Sequence, residues 1–130
     1  MVPKPLMELQ DRIVLSLVRS LTGIWDAAVV NIEIDFADEE QTENCLALSF
    51  ARDNGGWTRS SFSLPYDCYD LFAELRELMK QQDAALWTSC TLELKADGKY
   101  RYSFSYERPR RLNGIHDDEA MLKHYSPQTF

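Results

Sequence analysis

Residues Trp87 to Glu107 read WTSCTLELKADGKYRYSFSYE, and the alternation in both arms of this stretch leaves few folds open. Thr88, Cys90, Leu92 and Leu94 fall on one side of the first arm, and Tyr100, Tyr102, Phe104 and Tyr106 on one side of the second. Period two over both arms predicts two half-buried strands. Parity then fixes the turn. A two-residue Asp97-Gly98 loop pairs Leu94 with Arg101 and sets the two apolar rows on opposite faces. A three-residue loop of Ala96, Asp97 and left-handed Gly98 pairs Leu94 with Tyr100, Leu92 with Tyr102 and Cys90 with Phe104. The three-residue loop is the expected one.

The rest of the chain supplies partners for this hairpin. Leu6, Leu9, Ile13, Leu17 and Leu21, widened by Val14 and Val18, predict a helix from about Pro5 to Leu21 with Gly23 beyond its end. Val30, Ile32, Ile34 and Phe36 alternate with Asn31, Glu33 and Asp35, so a first strand projects its acids from the outer face. Leu46, Leu48 and Phe50 alternate in a second strand. Asp53-Asn54-Gly55-Gly56 is a turn, and a third strand runs from Trp57 to about Leu64. The acidic stretch Ala37 to Asn44 is thereby a loop between the first two strands. Pro65 leads into a second helix, Asp67 to Gln82, that buries Cys68, Leu71, Phe72, Leu75, Leu78 and Met79. The order α-β-β-β-α-β-β predicts one α+β domain over residues 1–130: a five-stranded, mostly antiparallel sheet with its apolar face to both helices and its polar face to water. Residues 108–130 form a polar C-terminal extension whose pattern allows a short helix from Asp117 to His124.

The second helix and the hairpin also carry a resemblance. Phe72-Ala-Glu-Leu-Arg-Glu-Leu-Met79, then Trp87-Thr88-Ser89, Asp97-Gly98-Lys99 and Phe104-Ser105-Tyr106-Glu107 resemble the YezG-like family of antitoxin and immunity proteins of polymorphic toxin systems. The resemblance runs from about Tyr69 to Glu107 and stops after Arg108. It implies the same α+β layout and a protein that neutralises the C-terminal toxic domain of a secreted or contact-delivered bacterial toxin, most often a basic nuclease. It implies a 1:1 complex of a monomer, with no cofactor.

Charge distribution bears on that expectation. No lysine or arginine occurs between Ser20 and Ala51, yet Asp26, Glu33, Asp35, Asp38, Glu39, Glu40 and Glu43 do. Removing those seven from the 21 acids leaves 14, matching the 14 basic residues, so this segment accounts for the net charge of −7. Such a chain repels phosphate and does not hold nucleic acid non-specifically. Glu33, Asp35, Asp38, Glu39, Glu40 and Glu43 are the candidate toxin-binding residues, because a single-sign patch speeds encounter with a basic partner and orients it. Exposed ion pairs contribute only about 0–1 kcal/mol, whereas a buried aromatic anchor contributes about 2 or more. Trp57, placed beside Ala51 on the outer face, is the candidate anchor.

Other chemistries find little support. His116 and His124 are eight apart, which is not the spacing of a helical metal pair. Ser60, Ser61, Ser89 and Cys90 lack a nucleophile elbow, and Gly55-Gly56 lacks the lysine of a phosphate loop. Glu74, Glu77, Arg76 and Lys80 read as solvated charges on the outside of the second helix. Lys99, Arg101, Arg108, Arg110 and Arg111 interleave with tyrosines, but parity turns those tyrosines into the core and Arg101 outward, which separates the stacking and cationic groups a single strand needs. No catalytic residue, cofactor or metal site is expected. Cys45, Cys68 and Cys90 are odd in number and widely spaced, as buried thiols of a reducing compartment are. With no secretion signal and no window of eighteen apolar residues, a cytoplasmic location is expected. The alternative function in keeping with size, class and charge is an acidic secretion chaperone for an effector.

Overall fold

The computed structural model describes residues 4–37, 40–83 and 85–114. Asp38, Glu39, both histidines and the expected helix Asp117–His124 lie outside the described residues. Helix α1 spans Lys4–Ser20, β1 Ala27–Ala37, β2 Glu40–Asp53, β3 Gly56–Ser61, α2 Tyr66–Asp83, β4 Ser89–Lys95 and β5 Tyr100–Ser105, followed by a 3-10 turn at Arg111–Asn113. The strands form one sheet in the order β3-β2-β1-β4-β5, with every neighbouring pair antiparallel. The predicted class and element order are those observed.

The hairpin register is the one parity required. Leu94 lies opposite Tyr100, Leu92 opposite Tyr102 and Cys90 opposite Phe104. Gly98 has φ 95°, a left-handed conformation that an L side chain rarely adopts. Lys95 N donates to Lys99 O at 2.8 Å across the loop. The tyrosine row is covered unevenly, because β5 is an edge strand. Tyr102 and Phe104 pack on the core, while Tyr100 and Tyr106 stay largely exposed. The Tyr102 hydroxyl donates to Gln10 O at 2.9 Å and the Tyr100 hydroxyl to Asp11 Oδ1 at 2.8 Å, tying the hairpin to α1.

Both helices cover one face of the sheet. Leu6, Leu9, Ile13 and Leu17 of α1 and Cys68, Leu71, Phe72 and Leu75 of α2 meet Val30, Ile32 and Ile34 of β1 and Cys90, Leu92 and Leu94 of β4. Here β2 departs from expectation. Its register against β1 turns Cys45 and Ala47 to the helices and Leu46, Leu48 and Phe50 to the opposite face. There they join Ala27 and Val29 in a second apolar cluster. The outer face is therefore not uniformly polar. In β2 the bulky row reads as the core row, but the space beneath α2 takes the small residues.

The acidic stretch also differs. Strand β1 continues to Ala37 and β2 begins at Glu40, so Glu40 and Glu43 lie on a strand rather than in a long loop. Pairing with β1 overrides the weak strand propensity of EQTEN, as cross-strand context commonly does. Arg76 is a further correction. Instead of lying on a solvated helix face it is 4% exposed, and its Nε donates to the Trp87 carbonyl at 2.6 Å.

Candidate docking surfaces and the buried arginine

The residues that carry the family resemblance prove to be joinery. Trp87 is fully buried and lies 5.7 Å from the Phe104 ring, centroid to centroid. Thr88 N donates to Ser105 O at 2.8 Å, Ile34 N donates to Thr88 O at 3.0 Å, and the Thr88 hydroxyl bonds the Ser105 and Glu107 carbonyls. With Arg76 holding the Trp87 carbonyl, Trp-Thr-Ser welds α2 to β1 and to both arms of the hairpin. These groups are spent inside the molecule, so a partner must be read elsewhere.

The described acids of the cation-free segment do not form one patch. Asp26 lies at the other end of β1, accepting from Arg52 N at 2.6 Å while its carbonyl accepts from Ala96 N at 2.9 Å. Glu33 points to the outer face as parity predicts, yet it is 4% exposed. Arg111 covers it: Nη1 stands 3.6 Å from Glu33 Oε2, and Nε donates to Asn44 Oδ1 at 2.6 Å. Nη2 donates to the Asn31 carbonyl at 3.0 Å and the Asn44 carbonyl at 3.3 Å, and Leu112 N donates to Glu33 Oε1 at 3.1 Å. Glu33 is thus a buried partner of Arg111, not a surface acid, and its expected exposure is corrected. The segment without cations in sequence acquires one in space from nearly eighty residues downstream. The C-terminal extension, in its described part, is fastened to the sheet.

Of the other candidates, Asp35 is half-buried and Glu40 and Glu43 are exposed. Glu40 lies opposite Ala37 on the outer face, whereas Glu43 lies opposite Ile34 and so faces the helix side. The acids therefore ring the β1–β2 end of the sheet rather than tile one face. Trp57 does point away from the helices and is 39% exposed, but its cross-strand neighbour is Arg52, whose guanidinium carbon stands 6.0 Å from the ring centroid. Between Glu40 and Arg52 the strand rises roughly 40 Å at about 3.4 Å per residue. A standard interface of about 800 Å² per partner is roughly 30 Å across. One compact footprint cannot take in both the acidic end and Trp57.

Two cavities carry no catalytic constellation. One, of about 210 Å³, is lined by Ser20, Thr22, Ser49, Thr58, Ser60, Ser61 and apolar neighbours, with no acid or base on its wall. The other, of about 120 Å³, lies by Glu93, Lys95 and Arg101, where Arg101 is ion-paired to Glu93. Among the described residues no group of three or more histidine, cysteine or acidic side chains is placed to hold a metal, and no helix is long and apolar enough to cross a membrane.

All three thiols are free, with Cys68 and Cys90 buried and Cys45 half-buried. Burial raises the Cys45 thiol from 9.0 to about 12 and the Cys68 thiol to about 11. A raised folded value means the neutral thiol's contribution is complete below pH 9 and is lost as the pH climbs from 9 through 11 and 12. Unfolding free energy should therefore fall between pH 9 and 11, by at most about 1.4 kcal/mol per pH unit for each thiol. Urea curves at pH 8 and pH 10 measure this, and Cys45→Val with Cys68→Val should flatten the slope.

Arg111, Asn44 and Arg76 escape sequence reading because they obey no local period. The available signal was indirect: Glu33 sits on a strand central enough to be covered, and a covered acid requires a cation. Residues 58–125, just over half of the chain, match the family of immunity proteins described as YezG-like. The match thus continues past Arg108 and takes in the segment that bears Arg111. Over 40 residues, 31% of this chain, the sequence is 48% identical to the Type VII secretion system protein EsaG of Staphylococcus aureus (strain NCTC 8325 / PS 47). The matched stretch is 24% of that relative's length. The chain belongs to the YezG-like immunity protein family.

Proposed function

We propose that this chain is a cytoplasmic immunity protein that binds, one to one, the C-terminal toxic domain of a secreted or contact-delivered toxin, and that this domain is a basic nuclease. The family match over residues 58–125 carries the reading. Neutralisation is by occlusion: the acidic end of the sheet, with Asp35, Glu40 and Glu43, and with Asp38 and Glu39, which fall between the two strands in sequence, covers the groove that takes the nucleic-acid backbone. No cofactor enters. Glu33 supports this end from within through Arg111 rather than by contact.

The test mixes the purified chain with the C-terminal domain of the toxin encoded beside it. Nuclease activity should disappear at equimolar inhibitor, and activity that persists overturns the reading. Reversing Asp38, Glu39 and Glu40 together to lysine should slow association roughly tenfold or more at low salt and flatten its salt dependence. An unchanged rate removes the acidic end from the mechanism but leaves immunity standing. The description of the staphylococcal relative as a secretion-system protein favours one second reading, an acidic chaperone for an effector. A chaperone holds its client unfolded, so the native circular dichroism of the bound toxin domain distinguishes the two.

A further inference from the structure

Strand β3 is an exposed edge of the sheet. Edge strands are usually blunted by shortness, charged side chains, proline, a bulge or a covering element, and β3 carries a single charge, Arg59. Gly56–Ser61 reads GWTRSS, all six residues are exposed, and β3 pairs with β2 alone. The register identifies which main-chain groups are open. Asp53 and Gly56 close the β2–β3 hairpin, and Phe62 N donates to Ala47 O at 3.2 Å, so Gly56, Thr58 and Ser60 turn their main-chain groups toward β2. Trp57, Arg59 and Ser61 turn theirs outward. The opposite edge, β5, is by contrast tied to α1 through the Tyr100 and Tyr102 hydroxyls.

The two sides of this edge are furnished differently. On the outer face Trp57 and Arg59 stand exposed, and Arg59 makes no ion pair with a described residue. On the helix side, where α1 has ended at Ser20, Thr58 and Ser60 border the uncharged cavity of about 210 Å³. A strand laid along β3 sends alternate side chains to these two sides.

We infer that the β3 edge accepts an extended segment of the toxin partner, adding a sixth strand to the sheet. Charge complementarity specifies that segment: a carboxylate opposite Arg59, an apolar residue opposite Trp57, and between them a side chain leaning over the hydroxyl-lined cavity. A second copy of this chain fits less well. Pairing centred on Arg59 sets two guanidinium groups face to face, and both copies carry −7. This inference rests on the immunity reading and adds a contact distinct from the acidic end.

Amide hydrogen exchange on the full chain, alone and mixed with the toxin domain encoded beside it, tests this. In the free chain the Trp57, Arg59 and Ser61 amides should exchange at least about 100-fold faster than those of Thr58 and Ser60, which pair with β2. In the complex the three fast amides should slow about 100-fold, and Arg59→Glu should weaken binding about tenfold or more. A complex that forms while the three stay fast overturns the edge contact and leaves the immunity reading intact. Slow exchange in the free chain that grows with its concentration assigns the edge to a second copy and also overturns it. Failure to form any complex overturns both.

Discussion

Replacing Arg111 with alanine should lower the unfolding free energy by about 3–5 kcal/mol, because it leaves a carboxylate buried without its cation. Glu33 is 4% exposed and Arg111 5%. Water cannot take over the lost interactions cheaply, and the Asn44 side-chain oxygen loses its 2.6 Å donor in the same step. Against a total of roughly 5–15 kcal/mol for a domain of this size, the change is decisive. The pair is not thereby shown to be a net stabiliser. Arg111→Met combined with Glu33→Leu should recover most of the loss, because it removes both charges together and leaves neither buried alone. Urea unfolding of the two single variants and the double variant measures the coupling. Single effects that simply add, or a loss under about 1 kcal/mol for Arg111→Ala, would refute a buried pair. Because the pair also anchors the 3-10 turn, proteolysis after Arg110 should accelerate in Arg111→Ala in proportion to the lost stability.

The same contact marks where sequence stops being informative. The hairpin could be read to the residue, since strand register, turn length and Gly98 are consequences of spacing within twenty residues. Helix α1 was legible for the same reason. Strand β2 was not, because two interleaved rows, Leu46-Leu48-Phe50 and Cys45-Ala47, both suit burial. Which row meets the helices depends on how closely α2 approaches, and that is a property of the packed pair. Glu33 was placed on the right face by parity, but its exposure depended on Arg111, nearly eighty positions later. Trp57 was likewise turned the right way, with its neighbour misassigned by one residue of β2–β3 register. The candidate surface was thus legible as direction and illegible as cover. A partner's footprint needs both, and this divides an apparently single acidic lobe into one buried acid, a half-buried one and exposed residues on two faces.

Trp87→Ala should cost about 3–5 kcal/mol, as large aromatic truncations in cores do. The indole is fully buried and packs on Phe104, so its removal opens a cavity beneath the junction of α2, β4 and β5. The loss also loosens the loop whose carbonyl accepts from Nε of Arg76, a second buried cation. Trp87→Phe separates volume from polarity. The indole nitrogen is buried with no acceptor among the described residues, so phenylalanine forfeits some contact area but also removes an unsatisfied donor. It should cost about 1–2 kcal/mol less than alanine. Both variants should bind the toxin domain with unaltered affinity at temperatures where they remain folded, because Trp87 has no surface to offer a partner. Calorimetric titration of Trp87→Phe against the toxin domain at 10 °C makes the comparison. A tenfold loss of affinity in a fully folded variant would show that the junction reaches the interface, and that the motif carrying the family resemblance takes part in binding as well as in folding.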